Sequence, residues 1–283
     1  MIPKIIHICW FSGEDYTPFL KECIDTWTIK MPDFKIRLWD QYSFDFDSVP
    51  FVREAYQAKK WAFVADYIRL YALYTEGGLY LDSDVKILKP FEEAWFEYDF
   101  FSAHEIHPGL FDDAGGMAQL NTFYLPKIAG EPITGFAVQG AILASIPNHP
   151  YLKDCLEQYT NLRLFGDNGT IDLKEVIIGS VITPVAEKYG YRYQDKEQVL
   201  QENMLILSAN MLVGNSIYLD SESYAIHLIN GSWRDKKGFE KFLHLVRNHY
   251  RKLFPIVNFI YKIFKKIFRI VKSIIDYFIK IKH

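Results

Sequence analysis

The sequence predicts an α/β protein, a single sheet with helices on its faces, continued by an amphipathic C-terminal helix. Three observations predict it. Short apolar runs and helically spaced segments alternate in β-α-β-α-β order over residues 3–88. A glycine pair, Gly77-Gly78, separates a long apolar helical stretch from a short apolar strand. Hydrophobic residues make up 49% of the 283, with 22 Phe and 19 Tyr, which supplies one large core or two modest ones.

Residues 3–10 read as a buried first strand ending at Trp10-Phe11-Ser12-Gly13. Phe19, Leu20, Cys23 and Trp27 give residues 17–30 helical spacing, and residues 35–39 alternate as a second strand. Residues 51–76 read as one long helical region stopped by Gly77-Gly78, and 79–88 as a third strand. Sheets of this order bind ligands at the C-terminal ends of their strands. Residues 104–135, rich in Gly, Pro, Asp and His, read as loops over a site. His104, Glu105, His107 and Asp112-Asp113 fall there, together in what reads as an acceptor-side loop, though each reads singly as a solvated loop residue. Helices and strands resume over 137–160 and 174–189. Further strands are expected at 204–207 and 224–229, before a turn at Asn230-Gly231. There is no internal repeat.

The stretch from Gly77 to Val85, Gly-Gly-Leu-Tyr-Leu-Asp-Ser-Asp-Val, carries the chemistry. Asp82 and Asp84 stand at i and i+2, which in an extended strand puts both carboxylates on one face. Two carboxylates so placed share one hard divalent cation and leave positions open to phosphate oxygens. That points to a metal-assisted reaction at a phosphate. For so short a motif, a strand end with two solvated aspartates is the competing reading. The preceding helix, Trp61 to Tyr74, is apolar on nearly every face, and Asp66 and Arg69 are its only charges. At i, i+3 they share a face, and buried charges need partners. Two readings stay open: a structural ion pair, or a pair aimed into a cleft to hold sugar hydroxyls or orient a phosphate.

Charge is unevenly spread. Residues 251–283 hold nine Lys/Arg against one acid, Asp276, a net +8, while the whole chain is −3, so the remaining 250 residues are net −11. From Ile260 onward, apolar residues and charges fall on opposite faces of a helix, and a charge every three to four positions rules out a membrane span. The tail reads as a basic amphipathic helix suited to an anionic membrane surface, or as a helix packed on the body or on a second subunit. The expected division is a catalytic domain over 1–238 and the tail over 239–283. No nucleic-acid partner is expected. Cys9, Cys23 and Cys155 form no CxxC pair, and the first residues lack a basic segment followed by a long apolar one. A reduced, cytoplasmic setting without a secretory signal is the expectation, with the protein peripheral on the inner face of the cell membrane.

Four segments together resemble the bacterial family 32 glycosyltransferases that carry a DXD sugar-binding region and build capsular and surface polysaccharides. They are residues 2–13, Ala62 to Tyr74, Gly77 to Asp84, and Ile226-His-Leu-Ile-Asn-Gly-Ser-Trp233. Relatives include yeast initiating mannosyltransferases and clostridial glucosylating toxins. The resemblance spans roughly residues 2–235 and implies a GT-A fold, a nucleotide-sugar donor, Mn2+ or Mg2+, and retention of anomeric configuration. It implies that Trp10 stacks on the nucleotide base, that Asp66 and Arg69 contact the donor sugar, and that Asp82 reaches ribose and, through water, the metal. Asp84 would ligate the metal directly, with His227 as a further ligand and Ser232 and Trp233 at the metal–diphosphate. The chain departs from the family at Ile8, Ser12 and Ala65, at Gln139-Gly140 where an Asn-Asn is frequent, and at Gly179-Ser180.

The expected function is therefore metal-dependent transfer of a hexose, from a UDP-sugar by likeness to the toxin-type Trp motif, to a growing, lipid-linked surface or capsular glycan. Front-face attack by the acceptor hydroxyl, with a donor phosphate oxygen as base, is the pathway the resemblance implies. Two alternatives compete with it. A haloacid-dehalogenase-type phosphatase also ends an apolar strand in Asp-x-Asp, but that fold opens on this strand and needs a later Lys and acidic pair. An inactive membrane-binding adaptor would have no use for Asp82, Asp84 and His227 together.

Overall fold

The computed structural model describes residues 1–229 and 238–250, with 253, 256, 257, 259 and 260. The chain forms two compact units, residues 1–15 with 22–233, and residues 16–21 with 234–283. In chain order the elements are β1 (Ile5–Cys9), α1 (Pro18–Lys30), β2 (Lys35–Trp39), α2 (Pro50–Gln57), α3 (Trp61–Glu76), β3 (Gly78–Leu81), β4 (Val85–Ile87) and β5 (Phe100–Ile106). There follow α4 (Pro108–Asp113), β6 (Phe136–Val138), β7 (Ile142–Ser145), α5 (Pro150–Gln158), α6 (Leu173–Val176) and α7 (Ile178–Lys188). The last are β8 (Gln198–Leu200), β9 (Met204–Leu207), β10 (Leu212–Val213), β11 (Ala225–His227) and α8 (Gly238–His249).

The larger unit is mixed α/β, a central sheet in the order β2-β1-β3-β7-β5-β9-β8, with β6 paired to β5. β2, β1 and β3 are parallel, β7 runs antiparallel between β3 and β5, and β9 lies parallel to β5. A second sheet, β10-β11-β4, is separate. β1 is apolar on both faces, as a parallel strand inside a sheet must be. Its polar residue, His7, is fully buried: its Nε2–H donates to the Gly77 carbonyl at 2.6 Å, and its Nδ1 accepts from the Trp39 indole at 3.0 Å. That clamp ties β1 to β2 and to the α3–β3 junction.

The junction explains the glycine pair. Gly77 has φ +65° and Gly78 φ +109°, and a Cβ on Gly78 would stand 2.7 Å from the Ile5 carbonyl oxygen. Only glycine permits so sharp a passage from helix to central strand.

Three expectations need correction. Residues 51–76 are two helices, because the chain reverses through Lys59 at φ +54° between α2 and α3. The loop expected from residue 104 begins later: β5 runs to Ile106, so His104 and Glu105 are strand residues, and α4 follows. The single strand expected over 79–88 is β3 and β4, which belong to different sheets, with a turn at 82–85 between them.

No described helix is long and apolar enough to cross a membrane. In the smaller unit the Thr17 hydroxyl donates to Asn248 Oδ1 at 3.1 Å. Asn230-Gly231 and nearly all of the expected tail helix lie outside the described residues; Ile256, Val257, Phe259 and Ile260 are helical.

Candidate active site

The Asp-x-Asp sits where β3 leaves the main sheet. The Asp82 N–H donates to the Ala141 carbonyl at 3.0 Å, and the Val85 N–H returns to the Asp82 carbonyl at 2.9 Å, closing a turn. The two carboxylates therefore converge through this turn and not by strand alternation, which corrects the extended-strand expectation. β4, leaving the turn, pairs antiparallel with β11 so that Val85 faces His227, and the Leu228 N–H donates to the Asp84 carbonyl at 3.1 Å. The small sheet thus delivers a residue from late in the chain to the motif. The buried Trp27 indole of α1 fixes the same segment by donating to the Val85 carbonyl at 2.8 Å.

One ligand atom from each of Asp82, Asp84 and His227 lies within 4.8 Å of the others. His227 Nε2 is 3.3 Å from Asp84 Oδ1 and 3.8 Å from Asp82 Oδ2. Burial works to lower the imidazole pKa, but the Asp84 and Asp82 carboxylates overcome it and push it up to about 9. A positive charge is therefore favoured at this point. Two carboxylate oxygens and an imidazole nitrogen suit Mn2+ or Mg2+, and the three residues present fit such an ion.

Behind the cluster lies the α3 pair. Arg69 Nη2 is 2.7 Å from Asp66 Oδ1 and 3.3 Å from Asp82 Oδ1. Its Nε–H donates to the Ala65 carbonyl at 3.1 Å, its Nη1–H to the Gly140 carbonyl at 2.6 Å, and its guanidinium lies 4.8 Å over the Tyr80 ring. The Tyr80 hydroxyl adds a 2.7 Å hydrogen bond to Asp82 Oδ1. Asp82 is thus gripped through Oδ1 by Arg69 and Tyr80, while Oδ2 is the oxygen on the His227 side. Burial raises the Asp66 pKa to about 7 against the pull of Arg69 and of the Ile178 N–H at the start of α7. Asp66 and Arg69 do form an ion pair, and through Asp82 the pair also supports the Asp-x-Asp.

With this geometry, the comparisons with known proteins have a physical counterpart. Residues 19–101 match the family described as "Glycosyltransferase sugar-binding region containing DXD motif". The matched segment holds the α3 pair and Asp82-Ser83-Asp84. The expectation of a glycosyltransferase is met over that segment. No curated protein sequence matches the chain. Among solved structures, the "PaToxG Glycosyltransferase" is similar at 17% identity and a TM-score of 0.43, over 66% of this chain and 69% of that one. A glycosyltransferase "involved in the glycosylation of the major capsid of PBCV-1" is similar at 10% identity and a TM-score of 0.42, over 80% and 94%. At that distance neither likeness assigns a role to a residue.

Trp10 stands just past the end of β1, next to β3. Extending the parallel register of His7 with Tyr80 by two residues sets Cys9 beside Asp82. Trp10 is half-buried, and its indole N–H donates to the Glu14 carbonyl at 2.6 Å. Ser232 and Trp233 lie outside the described residues. Sequence reasoning missed Tyr80 and placed Glu105 only within an acceptor-side loop. Tyr80 passes for a core aromatic in an apolar strand, and Glu105 stands on a strand and not in that loop. Only the alternation of β5, with Phe101, Ala103 and Glu105 on one face, would have indicated Glu105.

Proposed function

We propose that the protein is a metal-dependent retaining glycosyltransferase that moves a hexose from a nucleotide-sugar, a UDP-sugar in first place, to a surface or capsular glycan. The observation that carries this reading is the convergence of Asp82, Asp84 and His227 in front of the buried Asp66–Arg69 pair, inside and beside the DXD-matched segment. A GT-A arrangement, with the donor across the C-terminal ends of β1 and β3, accords with that placement.

Asp84, Asp82 and His227 would hold the cation. A divalent cation there supplies Lewis-acid stabilisation of the charge that grows on the departing nucleoside diphosphate. Arg69 and Tyr80 keep the Asp82 carboxylate from rotating, which preserves the geometry for attack. Asp66 and Arg69 form the wall against which the donor sugar is oriented. Trp10 offers an aromatic face at the strand end, where a base can stack, and Ser232 and Trp233 would serve the diphosphate. The basic segment 251–283 would place the enzyme on an anionic membrane surface at the inner face of the cell membrane, where lipid-linked glycan acceptors are built.

The test is a nucleotide-sugar hydrolysis screen with Mn2+, with p-nitrophenyl phosphate as a control substrate. Release of a nucleoside diphosphate from one donor class, lost on adding EDTA, is the expected result. Phosphate release from p-nitrophenyl phosphate with no donor turned over would contradict it.

A further inference from the structure

A second polar constellation adjoins the cation cluster, and the reading above gives it no task. Glu105, on β5, faces the small sheet, whereas its neighbour His104 faces the opposite side and hydrogen-bonds to the Tyr191 hydroxyl and the Lys196 carbonyl. Glu105 Oε1 is 3.1 Å from His107 Nε2, and His107 Nδ1 is 3.3 Å from Asn215 Nδ2. An amide N–H can only donate, so His107 Nδ1 is the acceptor and its Nε2–H donates to Glu105. Asn215 is itself fixed, since its Oδ1 accepts the Ile217 N–H at 3.2 Å. Two side chains, His107 and Asn215, thus orient one carboxylate.

Glycine makes the space. A Cβ on Gly214 would stand 2.8 Å from Glu105 Cγ and 3.1 Å from Gln139 Nε2, so both side chains pass where any larger residue would block them. Gln139 Nε2–H donates to the Leu212 carbonyl at 2.9 Å, while its Oε1 is buried with no hydrogen-bond partner among the described residues. Glu105 Oε2 likewise takes no hydrogen bond among the described residues, though the side chain is only 20% exposed. Burial pushes the Glu105 pKa up, but the His107 hydrogen bond and the positive charges of His227 and Arg69 hold it below the usual carboxylate value. It stays ionised beside the cation cluster. A buried acceptor without a donor, Gln139 Oε1, thus stands beside an accessible carboxylate oxygen, Glu105 Oε2, and together they suit a ligand rich in hydroxyls.

Position tells which ligand. Across the sheet the order is β1, β3, β7, β5. With the base at Trp10 just past β1 and the diphosphate at the end of β3, the sugar and the incoming hydroxyl lie on the β7–β5 side. This inference rests on the glycosyl-transfer reading. We infer that Glu105, held by His107 and Asn215 and flanked by Gln139, forms the acceptor subsite and accepts a hydrogen bond from a hydroxyl of the acceptor sugar. Glu105 touches the acceptor, and His107 and Asn215 are positioning residues.

The test measures transfer to methyl glycosides of the common hexoses, together with the Kd of UDP in the presence of Mn2+. Glu105→Gln keeps the shape but loses the charge, and should raise the acceptor KM about tenfold or more, the loss expected for one charge-assisted hydrogen bond. Its UDP affinity should stay within about twofold of wild type, which also certifies the fold. His107→Ala should raise the acceptor KM in the same direction by a smaller factor. A wild-type acceptor KM in Glu105→Gln overturns the inference alone. So does a loss of UDP affinity as large as the loss of transfer, because Glu105 would then serve the donor or the fold. A wild-type protein that binds no nucleotide overturns the proposed function and this inference with it.

Discussion

Arg69 makes the most demanding use of a single side chain in the protein. One guanidinium, 3% exposed, meets Asp66, Asp82 and two backbone carbonyls, and lies over the ring of Tyr80. Removing one partner of a buried ionic group strands the others, at a cost of roughly 3–5 kcal/mol. Arg69→Ala should therefore lose stability on that scale in urea unfolding and should release Asp82 as well. A change below about 1 kcal/mol would contradict the network. Arg69→Lys should also lose activity, because one ammonium does not span Asp66, Asp82 and the Gly140 carbonyl together. The sequence foretold the pair from two charges on an apolar helix. It did not foretell the other two members, because Tyr80 and Asp82 reach Arg69 through tertiary packing that no local spacing encodes.

At the scale of elements, α5 shows how a buried histidine links local structure to pH. His149 caps the helix, its Nδ1 accepting the Tyr151 N–H at 3.2 Å and its Nε2–H donating to the Glu202 carbonyl at 3.0 Å. Accepting the Tyr151 N–H requires an unprotonated Nδ1 and so the neutral ring, and burial lowers its pKa from 6.5. The unfolded chain then binds more protons than the folded one just below pH 6.5, so stability present above that pH is lost as pH falls. His149→Asn retains a good N-cap without a titrating ring. It should lose less stability than wild type between pH 7.5 and 5.5, measured by denaturant unfolding at each pH. An unchanged pH dependence would contradict the capping account. The strands β1, β2, β9 and β11 and the helix α3 were legible from apolar pattern and glycine position. The split at Lys59, the turn at 82–85 and the extent of β5 were not. Each depends on which partner strand or carbonyl completes the backbone hydrogen bonds, as the Asp82 N–H does with Ala141.

For the whole molecule, the distribution of charge and the assembly of the site both lead to tests. The net +8 of residues 251–283 against the acidic remainder predicts that deleting 251–283 releases the protein from anionic liposomes and spares donor hydrolysis. Equal sedimentation of full-length and truncated protein with such liposomes would contradict it. The two aspartates of the site were legible as a motif, and His227 became a candidate only through the resemblance of its segment. What brings them together is the pairing of β4 with β11, which joins two halves of the site far apart in sequence. The most direct test of the central claim is calorimetric titration of Mn2+ with UDP into wild type, Asp84→Ala and His227→Ala. Wild type should bind the nucleotide only with the cation, Asp84→Ala should lose that binding, and His227→Ala should weaken it about tenfold or more. Cation-dependent UDP binding of equal strength in all three proteins would show that Asp82, Asp84 and His227 are not the cation site.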